Sequence, residues 1–259
     1  MDAIVLAGGT PGPGDLLYSQ AHGKPKAMID IAGKPMAQWV LDAIGGSSTI
    51  THIFLIGLPE DCGLTSQKPV DFVPDQGDMV ANVKAGMHRA SQLHPHETYA
   101  LLASGDIPGI TTEIVDWRAR EILEARADLD YAVVERSVME KRYPGSRRSY
   151  TRLKDVEVCG GDLNGVRVTM GADEPIWQKL VAARKNALKQ AALVGWDILF
   201  LTLTRQLTLA DGERRVSHHL QLKGHACLTP YAEVGMDVDK PFQLEIMRQD
   251  MAARKRAAA

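Results

Sequence analysis

The sequence predicts an α/β protein built on a mostly parallel central sheet, and two observations carry that prediction. The unbroken apolar run Ile4–Leu6 has the character of a strand buried on both faces, and Ile50–Gly57, Tyr99–Ala103 and Tyr131–Val134 also read as strands. Stretches with apolar residues at helical spacing lie between them, and such alternation builds parallel sheets with right-handed crossovers. An apolar content of 45% across 259 residues is enough for a substantial core.

In chain order, Ile4–Leu6 is the first strand and empties into a loop. Met36, Val40, Leu41 and Ile44 give the next segment one buried helical face, which Gly45-Gly46 ends. Ile53, Leu55 and Ile56 form the heart of a second strand. Residues 58–78 read mostly as loop, with a short strand at Val70–Val73. Met79–Leu93 is helical, with Val83, Met87 and Ala90 on one side. After the strand at Tyr99–Ala103, Thr111-Thr112 and Glu113 form a helix N-cap, and that helix runs to about Arg126. Glu174–Val194 reads as a long helix, followed by apolar Ile198–Leu203, a polar helix near 208–221, a strand near 226–229 and a C-terminal helix from Gln243. No internal repeat or low-complexity linker divides the chain, so residues 1–259 are expected to form a single domain.

Three pieces carry chemistry. The first strand opens into Gly8-Gly9-Thr10, a loop with three more glycines and two prolines, then Lys24-Pro25-Lys26 and Gly33-Lys34-Pro35. Bare backbone N–H groups and ammonium groups can surround an anion, so this is a phosphate-handling arrangement. It is neither a Walker loop nor a dinucleotide GxGxxG, because the spacing fits neither. The second piece, Ser104-Gly105-Asp106-Ile107-Pro108, puts a carboxylate at the carboxyl end of a central strand, where open α/β sheets bind ligands. Such an aspartate suits Mg²⁺, which prefers one or two carboxylates plus phosphate oxygens. The third is Gly235-Met236-Asp237-Val238-Asp239-Lys240-Pro241, whose two carboxylates project to one side if the segment is extended.

Together these residues resemble the MobA-like, GT-A-type nucleotidyltransferases. Leu6-Ala7-Gly8-Gly9, Pro25-Lys26 and Gly33-Lys34-Pro35 are similar to that family's opening, Gly105-Asp106-Ile107-Pro108 to its GD-x-P metal motif, and Asp239-Lys240-Pro241 to its late D-[TK]-P motif. Asn82-Val83-Lys84-Ala85-Gly86 resembles the stretch that reads the base in relatives. The resemblance implies a three-layer α/β/α sandwich of the nucleotide-diphospho-sugar transferase type. It further implies Mg²⁺-dependent joining of an NTP to a phosphorylated small-molecule acceptor with release of pyrophosphate. Lys26 and Asp106 would be catalytic, and Leu6, Ala7, Gly8, Gly9, Thr10, Lys26, Asn82 and Gly86 would bind the nucleotide. Asp106 and Asp239 would hold the metal, with Asp237 as a third carboxylate. The chain departs from the family's GxGxR loop, for no Arg or Lys stands between Gly9 and Lys24.

Residues 136–170 match no general part of that motif and are read as an acceptor-binding insertion. Arg147, Arg148 and Tyr150 offer forked donors and an aromatic face, while Gly161, Asp162 and Asn164 offer hydrogen bonds to a polar acceptor. Two alternatives stand beside the nucleotidyltransferase: a GT-A glycosyltransferase using a sugar nucleotide, and a catalytically weakened nucleotide-binding regulatory module.

Composition excludes other classes. A net charge of −2 and 5% aromatic residues provide neither a basic stripe nor stacking platforms for nucleic acid. No apolar run is long enough to span a bilayer, and no signal segment is evident. Cys62, Cys159 and Cys227 are scattered, and His218, His219 and His225 lack partners at ligand spacing. A reduced cytoplasmic protein without a zinc site is expected.

Overall fold

Leu6, the last residue of the first strand, stands level with Ile56 on one side and Ser104 on the other, so three parallel strands end together at one edge. That edge organises the fold. The computed structural model describes residues 1–173, 177 and 195–257. The helix expected at Glu174–Val194 lies outside the described residues except for Trp177.

Strand β1 (Asp2–Leu6) is followed by the short helix α1 (Tyr18–Ala21), a hairpin of β2 (Asp30–Ile31) and β3 (Lys34–Pro35), and helix α2 (Met36–Gly45). Then come β4 (His52–Ile56), β5 (Val70–Val73), α3 (Met79–Leu93), β6 (Tyr99–Ser104), α4 (Thr112–Ala125) and β7 (Leu129–Glu135). The region read as an insertion contributes α5 (Arg136–Arg142), β8 (Thr151–Arg152), β9 (Glu157–Gly160) and β10 (Leu163–Arg167). The chain continues through α6 (Trp196–Leu203), α7 (Leu209–Leu220), β11 (Gly224–Thr229) and α8 (Pro241–Ala257). Residues 198–203, apolar but for Thr202, belong to a helix.

Among the described residues the main sheet has nine strands, ordered β5-β4-β1-β6-β10-β7-β9-β8, with β11 also paired to β7. Strands β5, β4, β1 and β6 are mutually parallel, and β10 enters antiparallel between β6 and β7. Segment 136–170 thus contributes three strands to the main sheet.

The period of two along β1 divides the interior into two layers. Ala3 and Val5 face a core built with Val40, Leu41 and Ile44 of α2 and Ile114, Val115 and Ile122 of α4. Ile4 faces the other way, with Phe54, Ile56 and Val83, Met87 and Ala90 of α3. Helices thus cover both faces, and the three-layer α/β/α sandwich is the observed architecture. Two helix starts are capped as their sequences require: Asp78 accepts from the amides of Val80 and Ala81, and Thr111 from that of Ile114. Among the described residues no helix is long and apolar enough to cross a membrane.

The antiparallel strand delivers a further carboxylate to the working edge. Leu163 pairs with Ala103, so Asp162 lies just beyond the end of β6, and its carbonyl accepts from the Ser104 amide at 3.0 Å. Beneath this area Arg118 of α4, fully buried, donates to the carbonyls of Leu163 and Asp130 and to the Asp130 carboxylate, tying β10 to β7.

Candidate active site

The β1 loop is set by backbone contact. A Cβ on Gly57 would meet the Gly8 nitrogen at 2.5 Å, and Gly57 sits at φ +96°, so the turn after β4 and the turn after β1 touch main chain to main chain. The amides of Gly8, Gly9 and Thr10 donate to no acceptor among the described residues. The Gly9 carbonyl accepts from the Lys26 amide at 3.0 Å, which anchors the start of a 3₁₀ turn at Lys26–Met28 against the loop.

From that turn the Lys26 side chain reaches the carboxyl edge of the sheet. Its ammonium contacts the Asp106 carboxylate and donates to Asp239 at 2.6 Å, across 213 positions of sequence. Asp106 is fixed from below by the Ser104 hydroxyl, which donates to its other oxygen at 2.5 Å. The Val238 amide donates to the Asp106 carbonyl at 3.0 Å and so brings segment 237–239 to β6. Burial alone would lower the Lys26 pKa, but the charges of Asp106 and Asp239 prevail and hold it above the usual lysine range. Asp239 is likewise opposed by burial, yet the Lys26 ammonium holds its carboxyl below the usual value.

Asp237 turns the other way. It is 8% exposed and ion-pairs with Arg148. Burial pushes its pKa up, Arg148 counters, and Asp162 adds to the rise; its carboxyl also shares a hydrogen bond with Asp239. Asp162 faces the same space. Burial and the nearby Asp106 charge push its carboxyl up to about 7. Asp239 on Lys26 is thus held toward its charged form, and Asp237 and Asp162 toward their neutral forms.

Two cavities flank the Lys26 bridge and share Gly8, Gly9 and Lys26. One, of about 310 Å³, is lined by Leu6–Gly9, Asp75, Gly77–Met79, Asn82 and Ser104–Asp106. The other, of about 540 Å³, is lined by Gly8–Pro11, Gly14–Leu17, Lys26, Asp239 and Lys240.

Among the residues singled out from sequence, Leu6, Ala7, Gly8, Gly9, Lys26, Asn82 and Asp106 line the first cavity, and Thr10 and Asp239 the second. Asn82 is engaged within the protein: its carbonyl accepts from the Gln76 amide at 2.7 Å and its amide donates to Asp75 at 2.8 Å. Gly86 is absent from both linings and underlies β1, where a Cβ would meet Ile4 at 2.5 Å. Arg147 leans over the ring of Phe242, with 5.2 Å to the centroid. Tyr150 bonds Glu140 at 3.1 Å and receives Arg136 over its ring. Asn164 accepts from Ala132 and donates to the Gly161 carbonyl, and a Cβ on Gly161 would collide with Val234. None of the six residues read as acceptor-binding lines either cavity; Arg148 reaches the site through Asp237, and Asp162 lies within the electrostatic reach of Asp106, Asp239 and Lys26. Gly57 and Asp75 carry no signal of their own in the sequence. Ser104 and Lys240 stand there only as flanks of the two aspartate motifs.

The residues present suit a divalent cation. The Lys26 ammonium already acts as a stand-in cation between two charged carboxylates, and two carboxylates with room for phosphate oxygens are the donor set Mg²⁺ favours. Among the described residues no group of three or more His, Cys, Asp or Glu converges as a ready metal cage.

Comparison with known proteins follows this geometry. A family model described as a MobA-like NTP transferase domain matches residues 3–222. A solved structure of a hypothetical transferase from Thermus thermophilus is 31% identical, covers 94% of this chain and 98% of its own, and superposes with a TM-score of 0.77. A CMP:2-keto-3-deoxy-manno-octonic acid synthetase solved with CTP is 14% identical, with coverage of 98% and 100% and a TM-score of 0.58. The 2-C-methyl-D-erythritol 4-phosphate cytidylyltransferase of Thermus thermophilus is 13% identical, with coverage of 99% and 100% and a TM-score of 0.54. These last two share the fold. No curated protein matches the sequence.

Proposed function

Because this chain belongs to the MobA-like NTP transferase family, we propose that it is a Mg²⁺-dependent nucleotidyltransferase that joins an NTP to a phosphorylated small-molecule acceptor and releases pyrophosphate. The observation that carries this reading is the Lys26 bridge. One ammonium grips Asp106 and Asp239 where the glycine loop, the Asn82 cavity and the Asp239–Lys240 cavity meet.

The base would enter the cavity between Leu6 and Asn82, and the phosphates would lie over the free amides of Gly8, Gly9 and Thr10. Asp106 and Asp239 would hold Mg²⁺, which when bound neutralises charge on the phosphates. Lys26 would then turn from the carboxylates to the phosphates. The acceptor would approach from the side of Arg148 and Asp162, so that one of its phosphate oxygens attacks the α-phosphorus in line. The α–β bridging bond breaks, and its electron pair leaves on pyrophosphate. Little covalent chemistry falls to the protein; alignment and charge stabilisation provide the rate.

Pyrophosphate release, assayed with the four NTPs and a panel of phosphorylated acceptors, tests the proposal. Release that depends on acceptor and divalent cation, and that disappears in a folded Asp106→Ala variant, is the expected result. Undiminished release by Asp106→Ala would overturn the metal assignment. Nucleotide release without pyrophosphate would instead identify a glycosyltransferase, and binding without any release a regulatory module.

A further inference from the structure

The loop after β1 carries no cation between Gly9 and Lys24, yet a nucleotide triphosphate laid over it holds up to four negative charges. Backbone amides orient phosphate oxygens but do not neutralise them, and Lys26 is a single charge. Mg²⁺ at Asp106 and Asp239 would meet part of that charge, and a further cation from another part of the chain would complete the cradle at the pyrophosphoryl end.

The fold places Lys240 there. Lys240 lines the cavity of about 540 Å³ together with Gly8, Gly9, Thr10 and Lys26. It directly follows Asp239, which Lys26 holds at 2.6 Å, so the same contact that assembles the metal carboxylates draws Lys240 to the loop. Its ammonium lies 5.9 Å from the centroid of the Phe242 ring and has no hydrogen bond or ion pair among the described residues. Of the nearby cations, Arg148 is held by Asp237, and Arg147 leans on the same Phe242 ring at 5.2 Å. The one carboxylate lining this cavity besides Asp239 is Asp15, and it is turned into the loop, where it accepts from the Gly12 amide at 2.5 Å. The loop side of the cavity thus presents free amide donors and the Lys240 side an unpaired ammonium.

We infer that Lys240 binds the pyrophosphoryl end of the nucleotide, supplying from the start of α8 the positive charge that the glycine loop lacks. The inference rests on the nucleotidyltransferase reading and extends it to one residue. Lys26 and Lys240 would divide the triphosphate: Lys26 stands on the Asp106–Asp239 pair, and Lys240 borders the second cavity that Gly8, Gly9 and Thr10 also line. The departing pyrophosphate would remain on Lys240 after the α–β bond breaks, so its release would be slowed by the same charge.

The test is calorimetric titration of the full chain with inorganic pyrophosphate and Mg²⁺, using wild type, Lys240→Met and Lys240→Arg. Wild type is expected to bind pyrophosphate. Lys240→Met should bind it about tenfold or more weakly, the worth of one charge-assisted hydrogen bond, and Lys240→Arg should restore most of the loss. The same variant should weaken NTP binding while leaving binding of the matching NMP unchanged, a split that a merely structural role would not produce. Failure of wild type to bind pyrophosphate, or equal binding by Lys240→Met, overturns the assignment. If pyrophosphate binds in a Lys240-dependent manner but no NTP is turned over, the subsite stands and the catalytic reading falls.

Discussion

Replacing Lys26 with methionine should move metal affinity and catalysis in opposite directions. The Lys26 ammonium contacts Asp106 and donates to Asp239 at 2.6 Å, so in the absence of nucleotide it occupies the space a divalent cation needs. Two unit charges about 4 Å apart interact by about 1 kcal/mol in bulk water and about 4 kcal/mol at an effective dielectric near 20. The site lies between those limits, because the Asp106 side chain is 14% exposed and that of Asp239 55%. Relieving about 2 kcal/mol of competition would tighten divalent binding roughly 30-fold. The assay is titration of nucleotide-free protein with Mn²⁺, reading free Mn²⁺ by electron paramagnetic resonance. Lys26→Met should bind more tightly than wild type, and adding Asp106→Ala should abolish the gain. Pyrophosphate release by Lys26→Met should meanwhile fall by a factor of about 10² or more, the usual effect of losing one transition-state charge contact. Unchanged or weaker Mn²⁺ binding by a folded Lys26→Met protein would refute the argument that Lys26 and the metal compete for Asp106 and Asp239.

Other outcomes follow from the same geometry. Gly57→Ala forces a Cβ into the Gly8 backbone at a left-handed φ and should destabilise the fold by about 1–3 kcal/mol, visible in thermal melting, with nucleotide affinity falling in parallel. Asn82→Ala removes the bonds that hold Gln76 and Asp75, so NTP affinity should drop by about tenfold in calorimetry while the melting temperature changes little. Arg118→Met takes from the buried Asp130 carboxylate its arginine partner, leaving His225 on its other oxygen, and should destabilise by about 3 kcal/mol in denaturant melts. Asp162 has its folded-state pKa raised to about 7, so the folded protein holds a proton that the unfolded chain gives up near pH 4. The group's effect is therefore a loss of stability as pH rises from about 4 to about 7, and Asp162→Asn should flatten that slope and be the more stable protein at pH 8.

The parts of the fold written in local sequence were readable. Strands β1, β4 and β6 announce themselves by continuous apolar residues, and α2, α3 and α4 by spacing and caps. The antiparallel strand β10 did not, because Leu-Asn-Gly-Val-Arg has neither the alternation nor the β-branched content of a strand. What makes it one is position: Gly165 leaves room for Ile122, whose side chain a Cβ would meet at 2.5 Å, and Arg118 bonds the Leu163 carbonyl from below. Both are tertiary facts. The run at Ile198–Leu203 is uninformative for the complementary reason, since a short apolar run suits either a strand or a buried helix and only the fold selects α6.

Charge pairing was the least legible feature and the one that shapes the site. From sequence Asp239 reads as a metal ligand with Asp237 as a third carboxylate beside it, and Arg148 as a forked donor for the acceptor. In the structure Arg148 holds Asp237, and Lys26 holds Asp239, across 89 and 213 positions respectively. Each cation thereby selects one carboxylate from an adjacent pair. Burial raises the Asp237 carboxyl against Arg148, whereas at Asp239 the Lys26 ammonium outweighs burial and lowers it. A motif states which side chains are present; the partners that reach them decide which is an anion. Under the proposed function Asp106 and Asp239 would take the cation, and Asp237 and Asp162, whose carboxyls burial raises, would offer hydrogen bonds on the acceptor side.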